Sequence, residues 1–155
     1  MAVDLFLDTS VLLSGLIDLG PQSAPAQSLM TLVADKRIKS AASAWHCCLE
    51  FYSVATRLPP EFRLPPADAV QLMEQEIFAR MSIHDLPPAD QHQMLRLLAE
   101  DRVTGGRIYD VQIAEIARAA GARVIVTDNR RHFFAALRHG LRVETPSEFL
   151  AAFGK

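Results

Sequence analysis

The sequence predicts an α/β fold, with a mostly parallel central sheet covered by helices on both faces. Three observations predict it. Short apolar runs of strand length alternate with longer stretches whose apolar residues recur at helical spacing. Two of the runs, Val3–Leu7 and Arg123–Val126, end abruptly on a carboxylate beside a hydroxyl: Asp8-Thr9-Ser10 and Thr127-Asp128. Proline and glycine clusters separate the segments without a long linker, a repeat or a low-complexity stretch.

In chain order, Val3, Leu5, Phe6 and Leu7 form a β-branched and aromatic strand, followed by a helix through Val11–Ile17. Gly20–Ser23 is a loop. Pro25 suits the first turn of a second helix reaching about Asp35. Ile38–Ala42 is a strand candidate, and Ser43 a cap for a helix from Ala44 to about Arg57. The Leu58–Pro66 segment, with four prolines, is a stiff turn. After it, Val70, Met73, Ile77 and Phe78 give Ala67–Arg80 helical spacing, so residues 44–80 read as a helical hairpin, an arm on the domain. Met81–His84 is a strand candidate, and Pro88-Ala89-Asp90 opens a helix to about Asp101. Beyond the loop Arg102–Arg107 comes a helix from Asp110 to Ala120, stopped by Gly121. The strand Arg123–Val126, a short helix at Phe133–Leu137, a strand at Leu141–Val143 and a helix after Pro146 complete the chain.

The 155 residues suit one domain, 1–155, and half of them are hydrophobic, enough for a core without staples. No run approaches the roughly 20 apolar residues of a membrane span, and no signal-peptide pattern opens the chain. The expectation is a cytoplasmic protein with no membrane contact. Cys47 and Cys48 are adjacent within an apolar run and read as buried thiols. A net charge of −2 gives no global signal for nucleic acid, although Arg130, Arg131, His132, Arg138, His139 and Arg142 concentrate positive charge near the end.

The chemistry rests on four acids. Asp8 and Asp128 end strands that, in a parallel sheet, deliver both to the same edge. Taken singly, Asp8 and Asp110 read better as helix caps, and Asp128-Asn129 has the chemistry of a turn; it is the pair of strand-end acids that reverses the preference. Glu50 lies in the apolar stretch Cys47–Tyr52. There it needs a proton, a metal or a partner such as Arg57, and the sequence leaves these readings open. Carboxylates gathered at one edge resist ionisation unless a cation lies between them. Mg²⁺ or Mn²⁺ suits an all-oxygen set and could act on a phosphodiester. Zinc-type Cys/His spacing, a Walker glycine loop and a Gly-x-Ser-x-Gly elbow are absent.

Taken together, Leu7-Asp8-Thr9-Ser10, Glu50 with Val54 and Arg57, Tyr109–Ala114 with Ala117 and Gly121, and Val126-Thr127-Asp128-Asn129 with His132-Phe133 resemble the PIN-domain nucleases. Within that family the chain looks most like the VapC-type toxins of toxin–antitoxin pairs. The resemblance implies a three-layer α/β/α sandwich, a ribonuclease dependent on Mg²⁺ or Mn²⁺, a homodimer, and inhibition by a small antitoxin. Asp8, Glu50 and Asp110 fall on the family's first three acidic positions. The fourth acid or amide commonly lies two residues after the threonine, at Asn129 here, whereas the carboxylate is Asp128; either could serve.

The expected reaction is hydrolysis of an RNA phosphodiester, with Asp8 and Asp110 as main metal ligands and Asp128 or Asn129 contributing. Glu50 would bind metal through water or position the attacking water. Thr9, Ser10 and Thr127 are candidates for orienting the carboxylates, although Ser10 reads more simply as a cap. Arg102, Arg107, Arg130 and Arg131 are candidate phosphate contacts. Trp45 and Tyr52, seven apart on one helix face, suit core or dimer packing. Two further readings are a catalytically silent module that binds RNA or protein on the same fold, and an RNA-processing nuclease that is not a toxin. Aspartyl phosphotransfer fits less well: no aspartate stands two residues after Asp8, and no lysine follows a late strand.

Overall fold

A computed structural model describes residues 3–154, apart from the side chains of Phe134 and Ala135; Met1, Ala2 and Lys155 of the expected domain lie outside it. The sheet is built around β1 (Leu5–Leu7), whose three residues are completely buried. A strand buried on both faces reads as a continuous apolar run, as this one does. β1 pairs in parallel with β2 (Ala41–Ala44) on one side and β4 (Val124–Val126) on the other, with Phe6 opposite both Ala42 and Ile125. β3 (Ser82–His84) extends the sheet beyond β2, and β5 (Arg142–Glu144) beyond β4, giving the order β3-β2-β1-β4-β5, all parallel. The chain therefore winds outward from β1 in both directions. The carboxyl ends of β1 and β4 flank the point where strand order reverses, the usual place for a ligand in such sheets.

Helices cover both faces in a three-layer α/β/α sandwich. α1 (Thr9–Leu16), α2 (Ala24–Ala34), α3 (Trp45–Ala55), α4 (Pro66–Met73) and α8 (Pro146–Ala152) contact one another. α5 (Gln91–Glu100), α6 (Ile108–Ala119) and α7 (Phe134–Arg138) form a second group. Phe51, Met73 and Ile77 share a core with the sheet residues Phe6, Ile125 and Val126. Among the described residues no helix is long and apolar enough to cross a membrane. α8 is the best-terminated helix: Thr145 Oγ1 accepts from the Glu148 N–H (3.2 Å) while Glu148 accepts from the Thr145 N–H (2.9 Å).

Several expectations shift. β2 is Ala41–Ala44 rather than 38–42, and Ser43 is a fully buried strand residue, not a cap. Its hydroxyl donates to the Leu7 carbonyl at 2.7 Å, which satisfies a polar group in the crowded centre of the sheet. α3 ends at Ala55, two residues short of Arg57. The helix expected over 67–80 is α4 followed by a π-helical turn, Glu74–Phe78, with Ala79 N–H donating to the Glu74 carbonyl. Ala69, Met73 and Ile77 face inward, while Val70 and Phe78 stay exposed. A 3.6-residue pattern carries no sign of a wider turn, nor does it choose between the stripe through Ala69 and the one through Val70. Trp45 and Tyr52 are also exposed and add nothing to the core. α6 starts at Ile108 after a 3₁₀ turn, so Asp110 lies inside its first turn and is not the cap. One buried ionic group escaped the sequence reading altogether. Glu115 of α6 bonds His139 after α7 and, at 3.1 Å, Arg118 Nε.

α1 and α2 pack closely at Gly15, where a Cβ would stand 2.5 Å from Met30 Cγ and 3.1 Å from the Ala26 carbonyl oxygen. Gly15→Ala gains about 1 kcal/mol of helix propensity but forces apart a contact whose overpacking costs about 1–3 kcal/mol. A net loss of stability on urea denaturation is expected; a gain would mean that the two helices separate freely.

Candidate active site

The site begins with a strand end that becomes a helix start. Asp8 lies at the N-cap of α1 with extended backbone angles, and its carbonyl accepts from the Val11 and Leu12 N–H groups. Its carboxylate makes no capping bond. Instead Asp8 Oδ2 accepts from Thr127 Oγ1 at 2.8 Å and from Ser10 Oγ at 3.0 Å. Both donors meet one oxygen; among the described residues none reaches Oδ1, which keeps access to solvent. The cap reading of Asp8 and Ser10 gives way here to mutual orientation across two strands.

Thr127 is fully buried at the end of β4, and its hydroxyl oxygen also accepts from the Asn129 N–H at 3.0 Å. Ser10 Oγ accepts from the Asp128 N–H at 3.1 Å. Ser14, one helical turn further along α1, donates to the Ser10 carbonyl (2.9 Å) and to Asp128 Oδ2 (3.3 Å). Asp128 therefore points back to α1 beside Asp8, while Asn129 contributes only its backbone N–H to this network. Among the described residues the buried Thr9 Oγ1 bonds no carboxylate; it faces the Cys47 thiol instead. The neighbouring Cys47 thiol is pushed up to about 12, chiefly by burial and then by the Asp8 charge, and Cys48 to about 11 by burial alone.

Asp110 arrives from α6 on the other side. Burial raises its pKa, the charges of Asp8 and then Glu50 raise it further, and His132 and Arg107 oppose them. His132 Nδ1 stands 3.8 Å from Asp110 Oδ2. Partial burial and Asp8 also raise Asp128, against the Ser14 hydrogen bond. Asp8 is thus the charge felt by both of its acidic neighbours.

Glu50 differs from expectation. Its side chain is 45% exposed rather than buried, and its partner is His46, one turn back on α3 at 2.7 Å, not Arg57. α3 buries Cys47, Cys48, Phe51 and Ala55, which turns Glu50 toward the edge of the site. The His46 ring stacks on Tyr109 of α6, with centroids 5.0 Å apart and planes 9° from parallel. That stack braces the two helices carrying Glu50 and Asp110. The i, i+4 spacing of His46 and Glu50, and of Ser10 and Ser14, is the signal that could have found these supports.

The arginines divide. Arg107 and Arg131 line a depression with Asp110 and His132, and Arg102 lines the adjoining cavity. Arg130 is held by Glu148 of α8 at 3.0 Å.

Among the described residues no three His, Cys, Asp or Glu side chains form a ready-made metal cage. The donors are nevertheless all hard oxygens, with one Asp8 oxygen held and the other open. That set fits a hydrated Mg²⁺ or Mn²⁺, which keeps several waters and takes one or two carboxylates. It does not fit zinc, whose sites use nitrogen and sulfur in closed tetrahedra.

Comparison with known proteins agrees with this fold. Ribonuclease VapC27 of Mycobacterium tuberculosis is 35% identical over 92 residues, which cover 59% of this chain and 65% of that protein. The matched part therefore spans just under two thirds of that relative's length. VapC20 of the same species, described as a sarcin-ricin loop cleaving toxin, superposes with a TM-score of 0.60 at 15% identity, covering 79% of this chain and 87% of that one. FitAcB from Neisseria gonorrhoeae gives 0.62 at 18% identity, covering 92% and 98%. These two likenesses are of fold. Residues 4–131 match the family model described as PIN domain, and with that span, this strand order and these strand-end acids the chain belongs to the PIN-domain family.

Proposed function

We propose that the protein is a metal-dependent endoribonuclease that hydrolyses RNA phosphodiester bonds, and that it acts as the toxin of a type II toxin–antitoxin pair. The observation that carries the proposal is the approach of Asp8 and Glu50 to Asp110, close enough for their charges to act on it, at the switch point of the sheet beside the arginine-lined depression. A surface evolved only to bind RNA has no use for clustered like charges. Similarity to VapC27, a ribonuclease, supports the same reading.

In this mechanism Asp8 and Asp110 would hold the cation, with Asp128 as a further ligand or Asn129 as a neutral alternative. Mg²⁺ or Mn²⁺ bound there would supply Lewis-acid polarisation of the phosphodiester and of the attacking water. Thr127 and Ser10 fix the Asp8 carboxylate so that it presents its open oxygen. His46 fixes Glu50, which positions the attacking water. Arg107 and Arg131 hold the phosphates flanking the scissile bond, since phosphate contacts supply most sequence-independent affinity.

The exposed apolar residues of α3, α4 and the π turn support a protein partner. Trp45, Leu49, Tyr52, Val70 and Phe78 border a cavity of about 220 Å³ without polar lining. A second copy covering this face makes the homodimer, and a small antitoxin blocks the acidic site. Leu49→Glu, at a position 52% exposed, is expected to yield a folded monomer by light scattering; an unchanged dimer would place the interface elsewhere.

The deciding experiment is cleavage of a structured RNA with Mg²⁺ or Mn²⁺ and with EDTA, alongside Asp8→Asn and Asp110→Asn. Metal-dependent cleavage lost in both variants is expected. Absence of both cleavage and Mn²⁺ binding would overturn the proposal in favour of a silent binding module.

Two variants separate chemistry from folding. Thr127→Val keeps the side-chain shape and removes the hydroxyl on Asp8, so Mn²⁺ affinity and cleavage should fall about 10–100-fold with the fold intact. For Asp110 the raised pKa means that the native state binds its proton more tightly than the unfolded chain. Ionisation therefore costs stability, none below the ordinary carboxylate value of about 3.9 and all of it once pH exceeds the raised value. Asp110→Asn should raise the melting temperature at pH 7 without metal, lose that advantage in acid, and abolish cleavage. A variant less stable at pH 7 would assign Asp110 a structural role.

A further inference from the structure

Beside the acidic site lies a cavity of about 430 Å³, of whose lining the mechanism above uses only Arg107. Arg102, Thr104, Arg107, His132 and Arg138 line it, and Asp101, also on its wall, holds Arg138 at 2.7 Å. Arg107 and His132 also border the depression that contains Asp110. Cavity and depression are therefore one groove, running from the acids toward Arg138. Its volume falls within the range of small-molecule sites. Its lining combines guanidinium groups for a phosphate with a hydroxyl and an imidazole for a base or ribose edge.

A second observation concerns the backbone of Arg102. α5 ends with Arg102 N–H donating to the Ala99 carbonyl and Val103 N–H to the Leu98 carbonyl. This is the termination in which glycine normally takes the left-handed position. α6 ends the same way, on Gly121 at φ 76°. α5 instead puts Arg102 there, at φ 54°. A long side chain is disfavoured in that conformation, and such strain concentrates where side chains bind ligands. Lys36, at φ 60° after α2, is the other such residue among those described; it lines neither the cavity nor the depression.

We infer that this groove is a nucleotide subsite, in which Arg102 is kept in a strained conformation to hold the RNA phosphate and nucleotide next to the scissile bond. The inference rests on the ribonuclease reading above and names where the substrate strand lies.

The test measures binding of a fluorescent hexaribonucleotide by anisotropy in EDTA, so that no turnover interferes, with thermal melts and cleavage assays on the same proteins. Arg102→Gly should weaken binding about tenfold and lower the salt slope by about one phosphate contact. Lys36→Gly, which makes the same backbone change away from the groove, should leave binding and cleavage unaltered. Both should melt about 2 °C higher from the released strain. Arg102→Gln, which keeps the original backbone, should lose binding equally and guards against a folding defect in the glycine variant. Equal binding by wild type and the Arg102 variants, or equal loss in Lys36→Gly, would overturn the subsite. If wild type cleaves RNA and the Arg102 variants cleave and bind as well, only this inference falls. If wild type neither cleaves nor binds, the ribonuclease reading falls and the subsite with it.

Discussion

The interaction on which the site depends is the parallel pairing of β1 with β4. The ladder runs past the strands, with the Asp8 N–H donating to the Val126 carbonyl at 3.1 Å. One residue later the backbone bond is replaced by a side-chain bond, Thr127 Oγ1 to Asp8 Oδ2. Register sets this contact, because a shift of one residue would send either side chain to the opposite face. Phe6 opposite Ile125 and Leu7 opposite Val126 fix the register through the most buried part of the core. Packing of apolar side chains thus determines where a carboxylate stands.

The same geometry imposes a cost. Parallel strands bring their carboxyl ends to one edge, and the helices that follow bring Glu50 and Asp110 within electrostatic reach. Asp110 and Asp128 are accordingly harder to ionise in the folded protein than in the unfolded chain, chiefly through burial, with the Asp8 charge adding to it. Hydroxyl donors on Oδ2 of Asp8, Ser14 on Asp128 and His132 near Asp110 relieve part of this without neutralising it. On the proposed reading, the residual negative potential would favour a divalent cation, and the adjoining arginines would offset the repulsion between these acids and an RNA backbone.

Much of this was legible in the residues. Strand-end acids beside hydroxyls gave Asp8 and Asp128 one edge once the sheet was read as parallel, and Gly121 marked the end of α6. What stayed hidden depended on which way a helix faces. Glu50 seemed buried because Cys47, Cys48 and Phe51 surround it in sequence, yet those residues occupy the other side of α3. Val70 and Phe78 fitted an inward stripe, whereas Ala69, Met73 and Ile77 take the inward face and leave both exposed. Ser43 had the chemistry of a cap and was used within a strand, because its neighbours are alanines small enough for the sheet centre. Spacing identifies a face of a helix; only tertiary contacts say what that face meets.

The separation of charge at the carboxyl edge follows from helix ends, not from net composition. The chain is nearly neutral, at −2. Even so, acids come to the sheet edge from β1, β4, α3 and α6, whereas Arg102 and Arg107 come from the end of α5 and the turn entering α6. Connecting segments can hold a cation beside the acids without burying it, since they lie at the surface and satisfy their backbone there. The strained Arg102 fits that arrangement. A glycine would end α5 with less strain but would carry no charge to the groove, and at the mouth of an acidic site the charge has the larger consequence for an anionic chain.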